Sequence, residues 1–541
     1  MKKQIYIFDG ISLSYDECED GAIRIVKGKM RRAGISINDY QVRIYKKSVD
    51  ARKRDAVKLV YSVSVDSPDC TMADREKFER IGARCVSVGE LEIRFGDEPM
   101  RARPLVVGMG PAGMFCALVL AENGYAPIII DRGDCVYDRV RAMERFYTTH
   151  ELDTESNVQF GAGGAGTFSD GKLLTRINDP KCTYVLETFK RFGAPDEVTV
   201  KAKPHIGTDI LRTVVDNILK YIESLGGQVI YRCKLTDVVR MSDGLVKAVT
   251  TKGDLVCSCV VLALGHSARD TYAMLLGRGF DIVPKPISVG VRIEHKRAHI
   301  EKALYGDLAG HPSLGAAEYA LSDTKGERGV YTFCMCPGGE VVAAASEQGG
   351  VVVNGMSNYA RNGENSNSAI AVSVRVDDYE KVDGSIALGA IEFQRKIERA
   401  AFLAGGGGYA VPVQTVGDFL NGTVGTVPSD VMPTYMDGDN FKVAAMDDVL
   451  PSFITKSLRY GLCSFDKKLA GFANKNALLS GAETRTSSPL RILRGEDMTA
   501  IGRENIYPCG EGAGYAGGIT SAAVDGVKVA LSIMAKYKLT E

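Results

Sequence analysis

Residues 106–131 read VVGMGPAGMFCALVLAENGYAPIIID. The apolar run Leu105-Val106-Val107 enters a turn with glycine at 108, 110 and 113. A helix-length segment follows, closed by Gly124, and Ile128-Ile129-Ile130 ends on Asp131. Strand, tight turn, helix, strand and acid make the βαβ unit that binds a dinucleotide. Gly108 permits the turn, Gly110 lets backbone approach a pyrophosphate, and Gly113 lets helix and strand pack closely. The helix opens at Pro111 and Ala112, where free N–H groups and the helix dipole favour anions. Asp131 stands about 20 residues past the first glycine, where a carboxylate accepts bonds from ribose hydroxyls. It disfavours a 2′-phosphate there, and Arg132 beside it is read as a further cofactor contact. NAD, NADP and FAD all use this unit, so by itself it leaves the ligand open.

A chain of 541 residues is expected to form more than one domain. Zero net charge gives no global field toward nucleic acid or anionic membrane. The opening MKKQIYIFDG is too short in apolar residues for a signal peptide, and no stretch has the length of a membrane span. A cytoplasmic protein is the expectation. The 13 cysteines are scattered with no CxxC and no metal-ligand spacing, so no metal site is expected.

Residues 1–99 read as β-α-β-β-α-β, a small ferredoxin-like α+β domain. Its strands are expected at Ile5–Phe8, Val42–Ile44, Val57–Val65 and Cys85–Val88, its helices at Asp20–Gly34 and Asp74–Ile81. Arg43–Lys58 carries seven Lys/Arg against two Asp. It is either a phosphate or RNA contact or a solvated or docking face. The second reading is favoured, because the whole-chain charge is zero. After Asp131 come a helix at Ile210–Leu225, a strand at Gln228–Tyr231, and a meander over Leu235–Met241, Leu245–Thr251 and Leu255–Leu262, with Ser242-Asp243-Gly244 as its first turn. The mixed pattern over 284–471 reads as an inserted α+β substrate or cap domain. The flanking 100–283 and 472–541 read as one discontinuous Rossmann-like domain, which makes the fold class α/β.

Three segments resemble parts of glutathione-reductase-type flavoproteins. Val260–Gly265 (VVLALG) is similar to their "ATG" strand, with Leu264 where Thr is usual and Ala263 and Gly265 small enough for a nucleotide to pass. Tyr507–Ile519 (YPCGEGAGYAGGI) resembles their C-terminal flavin motif, with Glu511 in the acidic place as in fumarate-reductase-like branches. The resemblance places Gly510 and Glu511 beside ribityl and pyrophosphate. It places Gly517, Gly518 and Ile519 at a helix start facing the flavin edge where charge builds on reduction. Gln159–Leu173 (QFGAGGAGTFSDGKL) is rich enough in glycine to lie against a flat or anionic ligand, with Gly163, Gly164, Ala165, Gly166 and Lys172 as contacts. With FCMCPGG at 333–339 and ETRTSSPLRI at 483–492, the chain resembles the uncharacterised bacterial FAD-dependent dehydrogenases over nearly its whole length. The resemblance implies FAD as cofactor and an oxidoreductase passing a hydride through flavin N5, with a flavin-dependent RNA-modifying protein as the alternative.

No catalytic residue is named by the sequence. Arg485, Ser487, Ser488 and Arg491 are candidate substrate contacts, and Arg485, Arg491 and Arg494 either clamp a carboxylate or phosphate or tie domains together. Cys334 and Cys336, one residue apart on a strand, are expected on one face as packing, as are Cys257 and Cys259. His266 is read as structural. The expected partners are a small-molecule substrate, with an anionic group as one option, and a nicotinamide visiting transiently, since no second dinucleotide fingerprint is present. Nucleic acid and membrane are not expected, and the oligomeric state is left open.

Overall fold

The computed structural model describes residues 3–52, 56–66, 72–88 and 91–539. A five-stranded sheet forms its centre, in the order Ile506–Pro508, Val260–Leu262, Leu105–Val107, Ile128–Ile130, Gln228–Ile230. Every pairing is parallel. All residues of the inner three strands are buried, as expected of a parallel sheet covered on both faces. The edge strand Ile506–Pro508 comes from the far end of the chain.

The helix Pro111–Glu122 is buried from Ala112 to Ala121. That explains its lack of a polar face: the sheet covers one side and the C-terminal helix Ile519–Lys536 the other. The two helices meet closely at Gly526, where an added Cβ would collide with the Ala112 carbonyl. The expected meander is corrected in its third arm. Gly253–Cys257 completes an antiparallel sheet with Val246–Thr250 and Leu235–Arg240, while Val260–Leu262 crosses into the parallel sheet. The run therefore serves two sheets, with Ser258-Cys259 as the break.

A seven-stranded sheet stands against this unit, in the order Ser322–Asp323, Val330–Cys336, Asn365–Val374, Ile287–Lys296, Leu478–Glu483, Val411–Thr415, Phe441–Val443. Leu478–Glu483 lies beyond the expected boundary at 471, yet it pairs with Ile287–Lys296 on one side and Val411–Thr415 on the other. All six of its residues are buried, so its apolar run finds a partner only inside this sheet. The helices Ile386–Ala404 and Ser452–Lys468 pack on the sheet.

The N-terminal sheet is antiparallel, with Lys3–Ser14 between Lys58–Asp66 and Arg84–Val88, and Gln41–Asp50 on the outer side of Lys58–Asp66. The helix Asp20–Arg32 covers it with Ala22, Val26 and Met30, leaving Ile23 half-buried. Tyr6 stacks on Phe78 at 4.3 Å between centroids. The basic strand Gln41–Asp50 docks on the rest of the chain: Lys47 N–H donates to the Val200 carbonyl at 2.9 Å and Ala202 N–H to the Lys47 carbonyl at 2.8 Å. Lys53 and Arg54 of the basic run lie outside the described residues.

Candidate functional site

One cleft runs from the glycine turn to the strand Val330–Cys336. At the turn it is lined by Gly108, Gly110, Pro111, Ala112 and Asp131, and beyond them by Gly164, Ala165, Gly166, Ala263, Gly265, Glu511 and Gly517–Ile519. The three glycines of the turn do different work. Gly108 has φ +107°, and a Cβ there would strike the Ala263 carbonyl, while one on Gly113 would strike the Gly108 carbonyl. Both are needed by the protein itself. Gly110 has φ −71°, and its nearest neighbour to an added Cβ is the Gly164 Cα at 4.0 Å, so its bare side opens on the cleft.

Two helices begin at this cleft, Pro111–Glu122 and Ile519–Lys536, and neither has a side-chain cap. Their first N–H groups are thus available to an anion. Asp131 is buried and accepts from Met109 N–H at 2.8 Å and Gly133 N–H at 2.9 Å, one bond on each oxygen. It holds the glycine turn in shape and keeps a lone pair on each oxygen for a hydroxyl.

The glycine run is shaped by a residue the sequence reading passed over. Arg139, on the helix Val136–Thr149, is completely buried with no carboxylate bonded to it. Its guanidinium donates to the carbonyls of Asn157, Val158, Ala162 and Gly164. Burial lowers its pKa to about 9. Gathering four carbonyls on one guanidinium turns that side of the loop away from the cleft. A Cβ on Gly161 would run into this side chain.

At the other end the lining is side chains: Asp170, Lys172, His266, Ser267, Cys334, Asn354, Glu483 and Arg485. Lys172 pairs with Asp170 and donates to the Met335 carbonyl, and Arg361 also clamps Asp170, with Nε to Oδ1 at 2.9 Å. Burial alone would raise the Asp170 carboxyl, but the two cations hold it near 2. Arg485 bonds Ser267 Oγ at 3.0 Å and shares Glu398 with Arg269, whose contacts to Glu398 are 2.7 and 2.8 Å. Despite burial, the two arginines hold Glu398 far below the usual carboxylate range. His266, beside Ser267 Oγ at 3.0 Å, is driven down to about 3 by burial and these arginines, so it is neutral at pH 7. Glu511 is pushed up to about 7 by burial, with Lys285 opposing.

Several expected contacts lie elsewhere. Arg132 is held by Glu155 at 2.7 Å and Asp270 at 2.7 Å and faces a neighbouring depression, because two carboxylates outcompete the cleft for it. Gly163 ties the loop to the turn through Met109 O at 2.8 Å, and Gly510 packs under Ala112, where an added Cβ would come within 2.6 Å. Ser488 is spent on the carbonyls of Leu490 and Gly512, Arg491 on that of Gly514, and Arg494 on Asp525. Ser487 does not line the cleft either. Of the proposed clamp only Arg485 faces the cavity.

The expectation that both FCMC thiols share one face is also corrected. Phe333 pairs with Ala369 and Cys336 with Asn367, so the strand carries one extra residue, a bulge. Cys334 has φ +48° at this bulge and lines the cleft, while Cys336 is buried.

Two uncapped helix starts, an opened glycine turn, a carboxyl midway and a glycine loop suit an elongated ligand with a pyrophosphate, a polyol and a flat ring. FAD is such a ligand. Residues 286–486 match the family model described as "FAD-dependent protein, C-terminal domain-like", and residues 11–66 match a domain of unknown function. A Clostridium beijerinckii protein described only as "Uncharacterized protein" is 46% identical over 505 residues, covering 92% of each chain. Protein FixC of Escherichia coli K12 is 26% identical over 200 residues, covering 36% of this chain and 44% of its own. Among solved structures, glycine oxidase from Geobacillus kaustophilus aligns over 81% of this chain and 96% of its own, at 11% identity and TM-score 0.33. The flavin-dependent halogenase CmlS aligns over 80% and 58%, at 11% identity and TM-score 0.36. Through the near full-length clostridial relative and the matching family model, the chain belongs to a family of bacterial FAD-dependent proteins, and FAD is its cofactor.

Proposed function

We propose that the protein is an FAD-dependent oxidoreductase acting on a small molecule with an anionic group. FAD supplies hydride transfer at the flavin N5. The observation that carries the reading is the change in lining along one cleft. The end suited to phosphates is backbone, and the opposite end gathers Lys172, Arg485, neutral His266 and Cys334 in the same cavity. Arg485 meets the cavity with its guanidinium already bonded to Glu398, Ser267 and Ser346, so it offers positive charge to an anionic group rather than a free bidentate fork. His266 is a hydrogen-bond acceptor or donor without charge, suited to a substrate hydroxyl or amine.

In this reading the glycine run, the turn and the C-terminal helix form the cofactor unit. The seven-stranded sheet is an inserted substrate unit reaching through Glu483, and the N-terminal sheet is a ferredoxin-like docked domain. The strand order and the return of Ile506–Pro508 to the parallel sheet support this division. The electron donor is the substrate itself or a nicotinamide that visits. Anaerobic mixing of FAD-loaded protein with NADH, NADPH and a metabolite extract tests the reading, with flavin absorbance as readout. Bleaching by at least one donor is expected. A flavin that stays oxidised with all of them means a non-enzymatic role for the cofactor.

A further inference from the structure

Cys334 lines the cleft and Cys336 lies behind it in the core, and the local backbone treats them unequally. The bulge between Phe333 and Cys336 releases Cys334 from the ladder, and its left-handed backbone turns the residue to the cleft. Cys336 stays in the core and donates its S–H to the Cys334 carbonyl at 3.3 Å, and the two thiols lie close enough to perturb one another. Two cations stand close by. Arg292 donates to the Cys334 carbonyl at 3.2 Å, and Lys172 to the next carbonyl, Met335. Glu483, paired with Arg292, and Glu511 complete the charged groups around Cys334. The hydrogen bond from Cys336 and the cations Lys172 and Arg292 bring the Cys334 thiol below its ordinary range, while Cys336 is pushed above it. One half-buried thiol lining the cleft beside one fully buried thiol is the division of labour of a thiol–disulfide exchange site. Phe333 and Leu174, both large and exposed, also line this cleft.

We propose that Cys334 and Cys336 form a dithiol–disulfide pair that relays two electrons between FAD and a small disulfide substrate. This rests on the oxidoreductase reading above. Cys334 thiolate attacks one sulfur of R–S–S–R′. The substrate S–S bond breaks, R′S⁻ leaves and takes a proton, and a mixed disulfide Cys334–S–S–R remains. Cys336 gives up its proton and attacks the Cys334 sulfur, releasing RS⁻, which is protonated to RSH. The Cys334–Cys336 disulfide then returns to the dithiol on taking two electrons and two protons, which reduced FAD held in the cleft, replenished by a hydride donor of the class sought above, would supply. The sum is two electrons and two protons in, and two thiols out.

The experiment uses FAD-loaded full-length protein, wild type beside Cys334→Ser and Cys336→Ser. After mild oxidation and removal of oxidant, each is titrated anaerobically with dithionite. Wild type should take up twice the reducing equivalents per flavin that either variant takes, and peptide mass mapping should find the 334–336 disulfide only in wild type. Equal uptake in all three overturns the proposal. A pulse of iodoacetamide should label Cys334 of reduced wild type at lower pH than any other thiol. Labelling only at the pH of ordinary thiols also overturns it. Finally, hydroxyethyl disulfide should reoxidise the dithionite-reduced flavin of wild type at least tenfold faster than that of either variant, and equal rates would overturn the disulfide as substrate. Dithionite reduces flavin whatever the natural donor, so failure here is distinct from failure of bleaching by NADH, NADPH or metabolites.

Discussion

At the glycine-turn end the cleft is lined mainly by glycine and alanine. At the Cys334 end it is lined mainly by larger polar and charged residues, several of them held by ion pairs from other segments. The first end is governed by volume. What fits there is decided by whether a Cβ has room, as the contrast of Gly108 with Gly110 shows. The second end is governed by charge balance, because Glu398, Arg485, Asp170 and Lys172 are buried or nearly so and each is kept ionised by its neighbours. Substitutions at the two ends should therefore fail in different ways.

The largest effect is expected from Gly108→Ala. It forces a left-handed backbone on alanine and drives a methyl into the Ala263 carbonyl. Strain and overpacking, each about 1–3 kcal/mol, give a loss of up to about 6 kcal/mol. Urea unfolding of FAD-free protein measures it, and wild-type stability would break the steric half of the comparison. Next is Glu398→Gln, which leaves Arg269 and Arg485 buried against an amide. Breaking such a pair costs about 3–5 kcal/mol. A loss below about 1 kcal/mol in the same assay would mean that the arginines find other acceptors.

Glu511 sharpens the charge half through pH. Its carboxyl goes from an ordinary 4.5 to about 7 on folding, so the folded state holds a proton that the unfolded chain has lost. The fold is therefore most favoured below pH 4.5 on this account, and loses roughly 3 kcal/mol as pH rises through 7. Glu511→Gln should flatten that slope in FAD-free protein, and an unchanged slope would assign it to another group. Gly110→Ala is smaller in stability but direct in function. The methyl's nearest neighbour is the Gly164 Cα at 4.0 Å, an ordinary contact, so the variant should fold normally yet bind FAD about tenfold more weakly, about 1.4 kcal/mol. Equilibrium binding to the FAD-free variant decides it. The smallest effect belongs to Arg52→Gln, an arginine 89% exposed beside Asp50, with no measurable change in urea unfolding and none in RNA retention at low salt.

The backbone end was legible because its requirements are local. A turn needing Gly108 and a helix start after Gly110 are written within a few residues, and the returning Gly517–Ile519 repeats that grammar at a second helix. The side-chain end was not, because its partners are far apart in sequence. Nothing near Arg485 announces Glu398, and nothing near Asp170 announces Arg361. Arg139 shows the same limit inside a legible region. Its helix was unmarked by any motif, yet it sets the shape of the glycine run. The spacing of Cys334 and Cys336 gave the wrong face because one extra residue in a strand reverses the alternation, and the two-residue period is blind to it. Arg132 misled for an electrostatic reason: its position beside Asp131 suited a ligand, but Glu155 and Asp270 claimed it first.

The pairing of Ile506–Pro508 with Val260–Leu262 has a consequence for biosynthesis. A ribosome adding about 5–20 residues per second releases the two strands on the order of tens of seconds apart. Until the later one emerges, the earlier strand is an unprotected edge, open to wrong pairing. The second helix start of the cleft arrives later still, with Ile519–Lys536. FAD therefore meets a half-built pocket during translation, and its full grip dates from the last stretch of chain, which makes late truncation more damaging to flavin loading than its length would imply.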